Sequence, residues 1–177
     1  MPSDEELMLD VARGDLTAFE QLVLRYQGVA WGVAYRFLGD RTEAEDVAQE
    51  AFLRLLSSAE RYRPISSFRT YFYRIITHLC LDFAGKKRPR TTDLAEVPSA
   101  KPSGAETITV GDRAAAVDRA LAALPSNQRA AVVLRYYENL GYREIAESLG
   151  TSEKAVERLL SRARATLEPL LEGLLEN

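Results

Sequence analysis

Apolar residues recur along this chain at intervals of three and four, and no stretch alternates apolar with polar for long, so the pattern predicts helices and no sheet. A short helix runs from a cap at Asp4 to about Arg13, where Gly14 stops it and Asp15 caps the next. That next helix carries Leu16, Phe19, Leu22, Val23, Tyr26, Val29, Ala30 and Val33 at helical spacing. Gly39-Asp40 marks a turn. Thr42 then caps a third helix over 43–56, with Glu45 as its capping-box partner. Pro64 interrupts the chain, Ser66 or Ser67 opens a fourth helix, and Gly85 ends it.

From Arg88 to Gly111 the apolar rhythm gives way to prolines, serines and threonines, which reads as a linker of about two dozen residues. Helical spacing resumes at Asp112 and breaks at Pro125, Gly141 and Gly150. The expected fold is all-α: two small helical domains joined by a flexible linker.

Composition agrees with a soluble chain that buries a core, at 46% hydrophobic and 28% charged residues. A lone cysteine, Cys80, cannot pair within the chain, and a reducing cytoplasm is the expected compartment. The first residues are acidic without an apolar signal core, and no run is long enough to span a bilayer, so no membrane insertion is expected. Net charge is −3, which alone argues against a nucleic-acid partner. Its distribution argues the other way. Residues 1–60 hold 12 acidic side chains against 5 basic, and residues 61–90 hold 8 basic against 1 acidic. Phosphate binding depends on local charge, so this dipole implies one basic and one acidic face.

Two stretches carry the candidate chemistry. "YREIAESLGTSEKAVERLLSRAR", residues 142–164, has helix-turn-helix spacing: small Ala146 at the crossing, Gly150 at the turn, Val156 and Leu159 packing the second helix back. Thr151 or Ser152 caps that second helix, whose outward positions are Lys154, Glu157, Arg158, Ser161, Arg162 and Arg164. Such a face fits a major groove; the blander alternative is a helical hairpin with a charged exterior. "FRTYFYRIITHLCLDFAGKKRPR", residues 68–90, puts Phe68, Phe72, Ile75, Leu79 and Phe83 on a core stripe, and Tyr71, Arg74 and His78 on one flank. Arg61, Arg63 and Arg69 lie upstream; Lys86, Lys87, Arg88 and Arg90 lie downstream. Rings and cations interleaved in this way suit unpaired or distorted DNA; the alternative is half-buried tyrosines beside a solvated basic cluster. His78 is the sole histidine, and no ligand cluster joins it, so neither a metal nor any other cofactor is expected. No glycine-rich phosphate loop or nucleophile–base pair is visible, which argues against an enzyme.

Together these stretches resemble the bacterial sigma factors of the extracytoplasmic-function (ECF, group 4) type in the sigma-70 family. "ARGDLTAFEQLVLRY" looks like the family's first conserved helix. "AEDVAQEAFLRLL" looks like the segment that docks on the clamp helices of the RNA polymerase β′ subunit. The aromatic and basic stretch is similar to the segment that melts and reads the −10 element. Residues 121–164 look like the domain that reads the −35 element and touches the β flap. The resemblance covers nearly the whole chain and comes in the family's order.

The resemblance implies a region 2 domain over 1–90, a flexible linker over 91–111 and a region 4 domain over 112–177. Core polymerase would bind through Asp46, Gln49, Glu50 and Phe52. The −10 element would be held and melted by Arg61, Arg63, Ser66, Ser67, Tyr71, Arg74, His78, Lys86, Lys87 and Arg88, and the −35 element by Lys154, Arg158, Ser161 and Arg162. The C-terminal leucines from Leu167 onward continue an apolar stripe, with Leu167 and Leu170 assigned to the core and the rest available to the flap. Partners implied are core polymerase, promoter DNA and an anti-sigma protein. Tyr71, His78, Lys154, Glu157 and Leu159 depart from residues frequent in the family, so promoter preference does not carry over. The alternative function is a helix-turn-helix regulator that works without polymerase.

Overall fold

The computed structural model describes residues 1–87 and 109–175, and among them there are helices and turns but no strands. Four helices form the N-terminal lobe: α1 (Asp4–Ala12), α2 (Leu16–Leu38), α3 (Arg41–Ser58) and α4 (Phe68–Lys87). Four form the C-terminal lobe: α5 (Val110–Ala123), α6 (Ser126–Val132), α7 (Tyr142–Leu149) and α8 (Glu153–Leu175). A wider π turn, Val133–Tyr137, follows α6.

Local chemistry sets most boundaries. Gly14 sits at φ 94°, and the Asp15 carboxylate accepts the Thr17 and Ala18 amides to start α2. Gly39 closes α2 at φ 73°, where only glycine avoids the Cβ clash. Three start positions differ from expectation. Ser3, not Asp4, caps α1 in a reciprocal box with Glu6. Asp40, not Thr42, caps α3, because the extended backbone after Gly39 already brings its carboxylate 2.9 Å from the Glu43 amide. The C-terminal lobe begins at Val110, where Thr109 and Asp112 form a capping box, so 110 and 111 belong to α5 and not to a linker. The rest of the expected linker lies outside the described residues. Helix α4 runs through Gly85 to Lys87.

Released from capping, Asp4 anchors α1 to α2: its carboxylate accepts from Arg25 Nη1 at 2.6 Å and from Tyr26 Oη at 2.5 Å. Glu5 then reaches α4 and accepts the Phe68 amide at 2.7 Å. Ser67 completes that helix start, its Oγ accepting the Thr70 amide at 3.2 Å. The core beneath is aromatic. Phe68 and Phe72 stack at 5.9 Å, and Tyr26 meets both edge-on, an arrangement that aromatic quadrupoles favour.

In the C-terminal lobe Leu121, Leu124, Leu134, Leu140, Ile145, Val156 and Leu160 are buried. Leu160 takes the packing position expected of Leu159, which lies half-buried one residue earlier. Leu167 packs against the core as expected, but Leu170 is 45% exposed because α8 has run past the helices it packs on.

The lobes also meet each other: α4 lies against α7, and α2 against α5 and the π turn. Tyr73 of α4 is 2% exposed and reaches Glu138 of the other lobe.

Candidate nucleic-acid and polymerase interfaces

Basic groups with no role in the core gather on two surfaces. On α4, Tyr71, Arg74 and His78 do share a flank, and with Ile75 and Arg54 of α3 they line a cleft of about 200 Å³. The Tyr71 hydroxyl lies 2.7 Å from Ser58 Oγ, and its ring meets Tyr62 edge-on at 5.0 Å. The ring is therefore held between these two contacts where Tyr71 lines the cleft. Arg74 is exposed and His78 partly so. Partial burial holds the His78 imidazole below its usual pKa, and Arg74 adds to the effect while Asp82 opposes it. Arg54 was missed by sequence reasoning because it sits on another helix, beside Glu50 at 3.3 Å. Its place one turn beyond Glu50 on the acidic helix was the available signal.

The loop before α4 meets this flank through Tyr62, whose ring packs on that of Tyr71. Arg61, Arg63 and Ser66 are exposed, and Ile65 projects from the loop at 93% exposure. Arg63 shapes the loop by donating to the Tyr62 carbonyl at 2.9 Å. Ser67 is committed to capping α4, so its hydroxyl serves the loop's shape first. Buried Tyr62 supports the turn from within, and burial pushes its phenol up to about 12. Lys86 is exposed near the other end of α4 and Lys87 closes the helix, while Arg88 lies outside the described residues.

The second basic surface is on α8. Gly150 turns the chain at φ 67°, and Ser152 caps α8 by accepting the Ala155 amide at 3.1 Å. Val156 is fully buried against α7, which leaves Lys154, Glu157, Arg158, Ser161, Arg162 and Arg164 exposed as expected. Arg158 and Arg162 border a cavity of about 250 Å³ with Asn127 of α6 and Thr151. A helix so presented brings cations and hydroxyls to phosphates and base edges.

The acidic face is on α3. Asp46, Gln49 and Glu50 are exposed. Phe52 is half in the core, its ring 5.1 Å from that of Phe72, and half in a groove between α2 and α3. The groove, about 480 Å³, is lined by Val23, Gln27, Trp31, Glu45 and Gln49 as well. Leu24 and Leu53, more than half exposed, lie on the same two helices. Exposed leucines and a tryptophan groove rimmed by carboxylates make a surface suited to another protein.

Among the described residues no group of histidines, cysteines and carboxylates is placed to hold a metal, and no helix is long and apolar enough to cross a membrane.

Both lobes match known proteins. A sigma-70 region 2 model matches residues 22–90, and a sigma-70 region 4 model matches residues 114–167. The RNA polymerase sigma-H factor of Pseudomonas aeruginosa is 33% identical over 97% of this chain and 95% of its own length. The ECF RNA polymerase sigma factor SigW of Bacillus subtilis is 31% identical over 93% of this chain and 94% of its own. Among solved structures, CnrH in complex with the cytosolic domain of CnrY superposes with a TM-score of 0.74 at 30% identity, over 97% of this chain and 99% of that one. Two family models match in their proper order, and the relatives align over nearly the whole chain. The chain belongs to the sigma-70 family and is an RNA polymerase sigma factor of the ECF type.

Proposed function

We propose that the three surfaces divide the work of initiation. The N-terminal lobe, residues 1–90, docks on the polymerase clamp helices through Asp46, Gln49, Glu50 and Phe52, with the α2–α3 groove receiving apolar side chains of the partner. The C-terminal lobe from Val110 onward reads the −35 element through Lys154, Arg158, Ser161 and Arg162, and contacts the β flap.

The observation that carries the −10 assignment is the cleft lined by Arg54, Tyr71, Arg74 and His78 beside the exposed loop of Arg61, Arg63 and Ser66. A ring fixed at its hydroxyl offers a stacking platform, and the cations around it hold a strand's phosphates. Lys86, Lys87 and Arg88 follow in the sequence and add positive charge for the same strand. A surface that binds unpaired bases better than paired ones shifts the duplex toward its melted state, so opening needs no nucleotide hydrolysis by this chain.

CnrH was solved bound to the cytosolic domain of CnrY, and its likeness to this chain over both lobes supports restraint of this chain by an anti-sigma protein as well. Run-off transcription with purified core polymerase tests the assignment. Tyr71→Ala and Arg74→Ala are expected to bind core normally and to lose permanganate reactivity at −10 thymines. Normal reactivity would move the melting site elsewhere.

A further inference from the structure

Several polar contacts among the described residues join the lobes. Tyr73 Oη on α4 donates to Glu138 Oε2 at 2.5 Å, and Arg69 of the same helix donates to the Glu138 carbonyl oxygen. Arg129 Nη1 on α6 donates to the Phe37 carbonyl oxygen near the end of α2 at 2.7 Å, and Arg36 lies 4.2 Å over the Tyr137 ring. At 100° per residue, Arg69, Tyr73, Thr77 and Cys80 share one side of α4, and Tyr71, Arg74 and His78 lie about 140° around the axis. The contact between lobes therefore leaves the promoter flank uncovered.

The constraint is distance. A 177-residue compact body has a radius of gyration of about 16 Å and is about 40 Å across. The −10 and −35 elements, about 25 base pairs apart by their names, lie ~85 Å apart on straight B-DNA. One packed body cannot occupy both. The segment 88–108 has a contour of roughly 70–75 Å at full extension, enough to let separated lobes reach both elements. Promoter engagement thus demands that these contacts break.

We propose that Tyr73, Arg69 and Glu138 form an intrachain latch, reinforced by Arg129 on the Phe37 carbonyl, that keeps the free sigma factor in a closed, promoter-incompetent state without help from any anti-sigma protein. This inference rests on the sigma-factor reading. The latch is built to yield. Thr77, two turns below Thr70 on the latched side, is 3% exposed, and its Oγ1 has no hydrogen-bond partner among the described residues. Closure leaves that hydroxyl desolvated, a cost that opening recovers. The same burial pushes the Tyr73 phenol up, with Glu138 adding to the effect, so the hydroxyl stays a donor at any physiological pH.

The chain supplies its own reporter. Cys80 follows Tyr73 by seven residues on the latched side and is fully buried. Small-angle scattering and labelling of Cys80 by a disulfide reagent are to be compared for wild type, Tyr73→Phe, Glu138→Gln and Thr77→Val. Tyr73→Phe keeps the ring and its packing, which separates latch loss from misfolding. Wild type is expected to scatter as one compact body. Tyr73→Phe is expected to scatter as a longer particle and to label roughly tenfold faster, the effect of one hydrogen bond to a charged group, and Glu138→Gln, which keeps a neutral acceptor, to shift both in the same direction by less. Thr77→Val is expected to label more slowly than wild type. At limiting core polymerase, the two opened variants give more transcript. An extended wild type, variants that scatter and label like wild type, or opened variants with no gain in transcript each overturn the latch. Failure of all four proteins to bind core counts against the sigma-factor reading instead, because scattering and labelling need no polymerase.

Discussion

Ser58 and Tyr71 stand 2.7 Å apart at their hydroxyl oxygens, and this contact ties the end of the acidic helix α3 to the flank of α4 that carries Arg74 and His78. Ser58→Ala removes the tie and leaves the Tyr71 ring packed on Tyr62. The expected cost in stability is about 1 kcal/mol, as for a typical hydrogen bond. Permanganate reactivity of −10 thymines should fall several-fold while core binding is unchanged. Equal loss of both would make the contact merely structural.

Arg54 faces the same cleft from α3 and touches a phosphate of the melted strand if the assignment is correct. Arg54→Gln should lower the salt slope of single-strand binding by about 0.7, the counterion release of one single-strand phosphate. A slope identical to wild type would remove Arg54 from the interface.

His78 gives a pH dependence with a definite sign. Its folded-state pKa lies below the ordinary value, chiefly through burial, so the unfolded chain takes up a proton first as pH falls. Stability from this group is full above about 6.5 and is lost as pH falls from there through the lowered folded value. The urea midpoint should drop between pH 7.5 and 5.5, and His78→Gln should shrink that drop. An undiminished drop would assign it to other groups.

Gly150 makes the turn of the helix-turn-helix at φ 67°, and its Thr151 neighbour donates its amide to the Ala146 carbonyl at 2.9 Å. Gly150→Ala fits the available space but not the backbone angle. A loss of about 1–2 kcal/mol in chemical unfolding is expected, with weaker −35 binding. Unchanged stability would show that the turn relaxes without its left-handed residue.

Much of this architecture is legible in local residues. Gly14, Asp15, Gly39 and Gly150 announce their own breaks, because a cap or a positive φ depends on one side chain and its immediate neighbours. The flank of Tyr71, Arg74 and His78 follows from helical spacing alone. Where two candidates stand within a turn of each other, spacing decides less: Ser3 competes with Asp4, and Asp40 with Thr42. A tertiary demand decided the first, since Asp4 is taken by Arg25 and Tyr26, and the extended backbone after Gly39 decided the second. Contacts between distant segments leave no local mark. Arg54 joins the cleft only because α3 lies along α4, and Tyr73 meets Glu138 across 65 residues. A long polar linker read as separation, yet the lobes it joins are packed together.

Transcription by purified core polymerase, with and without this chain, is the most direct measurement of the central claim. The account predicts run-off product from a promoter that core alone ignores, lost when Asp46, Gln49 and Glu50 are replaced by alanine together. Duplex binding by the chain with no association with core, and no product at any promoter, would contradict it.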